Sequence, residues 1–404
     1  MAKKIFILLF EIGFGITFNI IGTISISEIF LLFYFFVIIH NRNLFQDYPI
    51  LKKITWLYVG LLASQIISEI IVRNSFNNAS RGVMITVVSY LHLMFLFTFF
   101  IKDKKYILYA LAGLAIRYLL FSELDQSDVT AALTGEDSGV LKFYLVNIIV
   151  SPLLILSVII SKKRIMAIIA IIVGLSLIIL GARNAGLTLI LTGMISYFVL
   201  SGRTINRKIM IRIAVLGIIF GYLFYFFYIN QVLTGKITAG NNEQIEQISN
   251  PYNPISLLQL GRPDSFVGWQ AFMDNFWFGH GSWAADITGK YNRLLISMQD
   301  VKNIKNVDVS LIPTHSVLIS AGTYNGIFAF LFMFSILYFF IKRGIQSVNQ
   351  NDAYLIIVVY CIFDILWNGL FSPASHFRLT LPLSFAILLT SYLTNYSAER
   401  KETP

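Results

Sequence analysis

The chain has a single cysteine in 404 residues, Cys361, and it lies inside an apolar run. Neither an intramolecular disulfide nor a cysteine-ligated metal cluster can therefore form, and cysteine usage says nothing of redox compartment. Charge is scarce too. Asp, Glu, Lys and Arg make up 13% of the residues against 56% hydrophobic ones, with a mean hydropathy of +0.72, values that exclude a soluble globular domain. Internal repeats, low-complexity tracts and a separate soluble domain are absent from the sequence.

Long hydrophobic runs fill it instead. A bilayer core of about 30 Å needs about 20 apolar residues in a helix. Segments of that order, or slightly shorter, occur at 5–21, 24–39, 54–72, 82–101, 106–121, 141–160, 165–180, 185–200, 209–229, 316–341, 353–371 and 379–394. The pattern predicts an all-α integral membrane protein of about twelve transmembrane helices: nine over 1–229, a long loop over 230–315, and three more with a cytoplasmic tail over 316–404. The first segment follows Lys3 and Lys4 but precedes no small-residue cleavage site, so it reads as a retained helix rather than a signal peptide.

The net charge of +10 suggests a nucleic-acid partner until it is sorted by loop. With the N-terminus inside, the inner loops hold 19 of the 31 Lys+Arg and five of the 21 acids, a net +14; the remaining 12 basic and 16 acidic residues leave −4 elsewhere. The basicity thus follows the positive-inside rule, placing both termini in the cytoplasm and leaving no role for nucleic acid.

Two outer loops stand out. That at 122–140 is acidic and reads as a solvated surface. The loop at 230–315 is far longer than an ordinary connection and should fold in part into a cap. Three of the five tryptophans, Trp269, Trp277 and Trp283, fall within its stretch "GRPDSFVGWQAFMDNFWFGHGSWAADI". An amphipathic helix from about Asp264 to Phe276 on the membrane interface explains them, as does a platform that stacks on sugars or acyl chains. The "GHG" at 279–281 reads as a tight turn, with His280 either a turn residue or a substrate contact.

Arginine is enriched where topology disfavours it. Arg73, Arg81, Arg117, Arg183, Arg262, Arg293 and Arg378 make seven Arg among the 12 basic residues off the inner side, against seven of 19 inside. A guanidinium grips phosphate bidentately and stays charged. Arg183 in "LGARNAG", between two apolar segments, and Arg262 in the long loop are the diphosphate-binding candidates. Arg81, Arg117, His280, Trp283 and Arg378 are the wider substrate-binding candidates, with snorkelling to lipid headgroups as the alternative for outer arginines. Glu11, Glu28 and Glu69, inside apolar segments, are candidate partners for some of them.

In "PTHSVLISAGTYNG", residues 313–326, Pro313 and Thr314 read as the start and N-cap of a helix whose first turn contains His315. A positive helix end disfavours imidazolium, and a neutral imidazole at a wet boundary is a usable general base. A capping or interfacial histidine is the other reading. His315 is the catalytic candidate.

An Arg at a mid-chain outer junction, "GRPDSFVGW" in a long outer loop, the turn "FGHGSW" and "THSVLISAGTYNGIFAFL" together resemble the O-antigen polymerase and ligase superfamily of bacterial envelopes. The early "IGTISISEIFLLF" is similar to the first hairpin of the polymerase branch, and the order and spacing cover most of the chain. Ligases usually follow the histidine with Asn, where this chain has Ser316. The resemblance implies a GT-C-like, multi-spanning glycosyltransferase of the bacterial inner membrane with its active site on the periplasmic face. Undecaprenyl-diphosphate-linked oligosaccharides would be donor and acceptor, and a chain-length regulator a further partner. No cofactor is implied. A metal is not expected, because the nearest approach to an Asp-x-Asp pair is Glu123-Leu-Asp125 in a broadly acidic stretch, and Arg can replace a divalent ion at a diphosphate. Transfer of a finished chain to lipid A core is the alternative activity, and a lipid-linked oligosaccharide flippase the third.

Overall fold

Where water is scarce, every backbone N–H and C=O needs an internal partner, and a helix supplies them within one segment. The computed structural model describes residues 1–19, 22–40, 42–121, 146–180, 182–202, 219, 222–223, 225–227, 229–231, 233–234, 251–253, 262–299, 311–348 and 352–402, and most of these are helical. In chain order the elements are α1 (Ala2–Gly13), β1 (Thr17–Asn19), β2 (Thr23–Ser25), α2 (Ile26–His40), α3 (Arg42–Asp47), α4 (Ile50–Val72), α5 (Phe76–Phe100) and α6 (Tyr106–Phe121). After them come α7 (Val146–Ile159), α8 (Lys163–Ile179), α9 (Arg183–Leu200), α10 (Pro263–Asp274), α11 (Lys290–Gln299), α12 (Val317–Val348), α13 (Leu355–Phe371), α14 (His376–Leu379) and α15 (Leu381–Glu402).

Among the described residues three helices, α4, α5 and α12, are long and apolar enough to cross a membrane, and most of the others are shorter apolar helices. The segment expected at 209–229 and the acidic loop at 122–140 fall largely or wholly outside the described residues. The expected span 5–21 is corrected: α1 ends at Gly13, about 18 Å at 1.5 Å per residue, and the chain turns into an antiparallel hairpin pairing Thr17 with Ser25 and Phe18 with Ile24. Local sequence explains the switch. Glycines at 13, 15 and 22 bracket a run rich in β-branched residues, and Gly22 has φ +75°. Ser25 then starts α2 with a capping box: Ser25 N–H donates to Glu28 Oε2 at 2.7 Å and Glu28 N–H to Ser25 Oγ at 3.2 Å.

The core gathers around α5, whose Phe95, Phe97 and Phe100 are fully buried against α2, α4, α14 and α15. On the periphery Phe33, Trp56 and Ile70 are exposed, as lipid-facing side chains would be. Helices α8 and α9 meet backbone to backbone, because Gly174 and Gly186 face each other so closely that a Cβ on Gly174 would stand 2.6 Å from the Gly186 carbonyl oxygen.

The apolar segment expected as one span at 316–341 is interrupted in the structure. Gly326 has φ +77° and ψ −170°, which breaks the helix, and the loop segment 276–281 lies across the break. The backbone groups freed there are taken up by that segment. Ile327 N–H donates to Phe276 O at 2.9 Å, while His280 N–H and Gly281 N–H donate to Thr323 O at 2.9 Å and Tyr324 O at 2.8 Å. Gly279 (φ +69°) and Gly281 (φ +84°) give the segment its tight turn. Glu69 on α4 anchors the arrangement, accepting from Ser282 N–H at 2.8 Å, Asn74 Nδ2 at 2.7 Å and Asn325 Nδ2 at 3.2 Å.

Candidate functional site

Between α6, α7, α9, α13 and α15 lies a cavity of about 400 Å³. Its α6 and α7 walls are mostly apolar, with Leu111, Leu114, Val146, Val150 and Leu154, while its polar groups come from other elements: Asn184 and Thr188 on α9, Arg262 before α10, His315 before α12, and Asp364, Asn368, Ser372 and His376 along and beyond α13. A second pocket of about 610 Å³, more open, is lined by Asp264, Thr314, His315 and Tyr324. His315 lines both.

The segment holding His315 differs from the sequence expectation. Ser316, not Thr314, caps α12: its Oγ accepts from Ile319 N–H at 3.1 Å and donates to Gly369 O at 3.2 Å. Thr314 is engaged elsewhere, its hydroxyl 3.0 Å from that of Tyr324. His315 therefore sits just before the cap rather than in the first turn, and its carbonyl accepts from Ser265 Oγ at 3.5 Å, which ties it to α10.

Arg262 occupies the N-cap position of α10, and its guanidinium lies 5.9 Å from the Trp367 ring centroid on α13. Burial lowers its pKa from the usual arginine value, opposed by Asp264, but so basic a group stays charged. On α13 the polar residues form a ladder one helical turn apart. Asn368 Nδ2 donates to Asp364 Oδ1 at 2.7 Å, Ser372 Oγ donates to Asn368 Oδ1 at 2.7 Å, and Ser384 Oγ of α15 donates to Asp364 Oδ2 at 2.7 Å. His376, in the connecting helix α14, places Nδ1 3.1 Å from Thr380 Oγ1. Burial first, then the neighbouring His315 and Arg117, push its pKa down to about 4, so it is neutral at neutral pH.

Arg262 and His315 are thus brought together. Arg183 opens α9, one residue before Asn184 at the cavity wall, but its side chain lies outside the described residues. The wider candidates go elsewhere. Arg117 is buried behind the wall, its guanidinium 5.1 Å from the Tyr118 ring centroid and 5.6 Å from that of Phe14. Arg378 pairs with Glu28 at 3.1 Å and donates to Thr23 O at 3.2 Å, holding the N-terminal hairpin. Arg81 lies 4.6 Å from the centroid of the Trp283 ring, which in turn stacks on Tyr324. His280 bonds Ala271 O at 2.8 Å and packs against Tyr291 within the cap. Of the buried acids offered as arginine partners, Glu28 takes Arg378, Glu11 meets His92 at 3.2 Å, and Glu69 binds the amide and backbone donors described above.

Sequence reasoning passed over Asp364, Asn368, Ser372 and His376. A signal was present in "FDILWNGLFS" and "SPASHFRLT": polar residues at i, i+4 and i+8 of an otherwise apolar segment, then a polar connector. No family model matches the chain, and no curated protein does.

Proposed function

We propose that the chain is a polysaccharide polymerase of the bacterial inner membrane, with about twelve spans and both termini in the cytoplasm. It would join undecaprenyl-diphosphate-linked repeat units at the periplasmic face. The observation that carries this reading is His315, set between a cavity with mostly apolar walls on one side and polar and cationic groups on the other, and a second, open pocket. A lipid-linked diphosphate suits the first and an acceptor sugar the second.

In the reaction, Arg262 binds the donor diphosphate and stabilises the charge that develops as it leaves, with Arg183 at the start of α9 the second candidate for that role. Neutral His376 donates a hydrogen bond to the same group. His315 accepts the proton of an acceptor hydroxyl as its oxygen attacks the anomeric carbon. The bond from that carbon to the diphosphate oxygen breaks with its electron pair going to oxygen, and the configuration inverts in one displacement. The reading assigns no step to a metal.

The test is His315→Ala at matched membrane expression. General-base contributions of roughly 10² to 10⁴-fold should reduce surface glycolipids from a ladder to a single repeat unit. A surface stripped of repeat units, with long polymer retained on the lipid carrier, would identify a ligase instead. A normal ladder would remove His315 from the chemistry altogether.

A further inference from the structure

The long loop is not wholly extramembrane. We infer that the exposed apolar side chains of its segment from Trp269 to Trp277 are embedded in the outer leaflet of the bilayer, with hydrocarbon rather than water or a partner protein as their neighbour.

Large apolar side chains there are left uncovered: Trp269 is 42% exposed, Met273 44% and Trp277 60%. They continue a stripe on α12, where Phe328, Leu331, Phe334 and Tyr338 are each 50% exposed or more at helical spacing. Ring contacts join the two surfaces, Trp277 to Phe328 at 6.4 Å between centroids and Trp269 to Phe330 at 6.2 Å. Whatever solvates the lower stripe therefore also solvates the loop.

Depth follows from helix geometry. Lys342 and Arg343 end the apolar run of α12 and mark the inner interface. Sixteen residues separate Gly326 from Lys342, roughly 24 Å along the axis at ~1.5 Å per residue, and tilt only shortens that rise. A hydrocarbon core of about 30 Å thus extends past the break at Gly326, where segment 276–281 crosses. Trp277 lies about 6 Å inside the outer edge, a depth typical of interfacial helices. Non-helical backbone at that depth is tolerated because the groups freed at the break are bonded by the crossing segment. On the opposite side of the cap, Asp274 accepts from Lys290 Nζ at 2.6 Å and Tyr291 Oη at 2.9 Å, a polar face suited to headgroups and water.

This inference is independent of the chemistry proposed above but requires α12 to cross the bilayer, and the test separates the two. Nitroxide labels are placed singly at Met273→Cys, Trp277→Cys, Phe334→Cys and Ser297→Cys of the full chain, each on Cys361→Ser, in phosphatidylcholine vesicles. Collision with oxygen relative to a water-soluble nickel chelate should be severalfold higher at 273, 277 and 334 than at 297. Lipid-like values at 334 with water-like values at 277 would overturn the embedded loop alone, and water-like values at 334 would overturn the crossing helix with it. A label at 277 inaccessible to both reagents would mean a protein neighbour and also defeat the inference. Because a label at 277 replaces a packed side chain, the native residue is tested too: brominated lipid should quench the unlabelled wild type more than Trp277→Phe, and equal quenching refutes the proposal.

Discussion

Replacing Gly326 with Ala tests how the cap is fastened. At φ +77° and ψ −170° the backbone is in a region that only glycine occupies at ease, and holding another residue there costs about 1–3 kcal/mol. The added methyl also has no space: it would overlap the Trp277 carbonyl and stand 2.6 Å from Phe278 N, both backbone atoms that cannot swing aside. The cheaper escape is for segment 276–281 to withdraw, which abandons the three backbone hydrogen bonds across the break. At roughly 0.5–1.5 kcal/mol net for each, withdrawal costs about 1.5–4.5 kcal/mol. Gly202→Ala is the internal control, since its φ is +82° but nothing lies within 4 Å of the added methyl, leaving only strain of about 1–2 kcal/mol. Buried Cys361 supplies the readout, because a thiol-reactive dye reports unfolding as that side chain is uncovered on heating in detergent. Gly326→Ala should melt well below Gly202→Ala and show faster proteolysis between residues 276 and 299. Equal melting of the two variants would refute the stitching of loop to helix.

Arg262→Lys should lose much of the proposed polymerising activity despite retaining charge, because a bidentate fork becomes a point contact; wild-type ladders in that variant would reduce Arg262 to a packing role. His376, with its folded pKa pushed down to about 4, stays neutral while an unfolded histidine gains its proton near 6.5. Its contribution to stability is therefore lost as pH falls from about 6.5 to 4, and the melting point of His376→Asn should decline less over that window than that of wild type. Glu28→Gln should destabilise by about 3 kcal/mol, leaving a partly buried guanidinium without its carboxylate, and pairing it with Arg378→Met should recover part of the loss in a double-mutant cycle. Single-cysteine labelling on Cys361→Ser should find residue 245 reactive from outside the cytoplasm; reaction only after lysis would invert the topology.

Most of the described helices were legible because a hydropathy run is a property of a segment by itself, and α10 at 263–274 lies close to its expected range of 264–276. The break at Gly326 was not, since "YNGIFAFL" reads as continuing helix and the partner that opens it is about 50 residues away in the chain. The cap expected at Thr314 falls instead on Ser316, because the Thr314 hydroxyl is engaged by Tyr324, a contact that local sequence does not show. His315 stood out as an ionisable group at a helix start, and Arg262 as an arginine in the long loop, where topology disfavours basic residues. Asp364 and His376 were hidden by belonging to separate stretches, one apolar and one a short connector, that become a single wall only when α13 and α15 pack together.

The Glu28–Arg378 pair also carries a schedule. Glu28 is buried, and its capping box satisfies one carboxylate oxygen as soon as α2 forms, but the arginine that pairs with the other is encoded 350 positions later. At ribosomal rates of about 5–20 residues per second, the N-terminal hairpin waits roughly 20–70 s for its cation. During that interval the carboxylate lacks the partner that holds it in the finished fold, so the first part of the chain to be made is among the last to be locked in place. A nascent chain arrested before α14 would leave that hairpin unlatched and open to the cell's quality control.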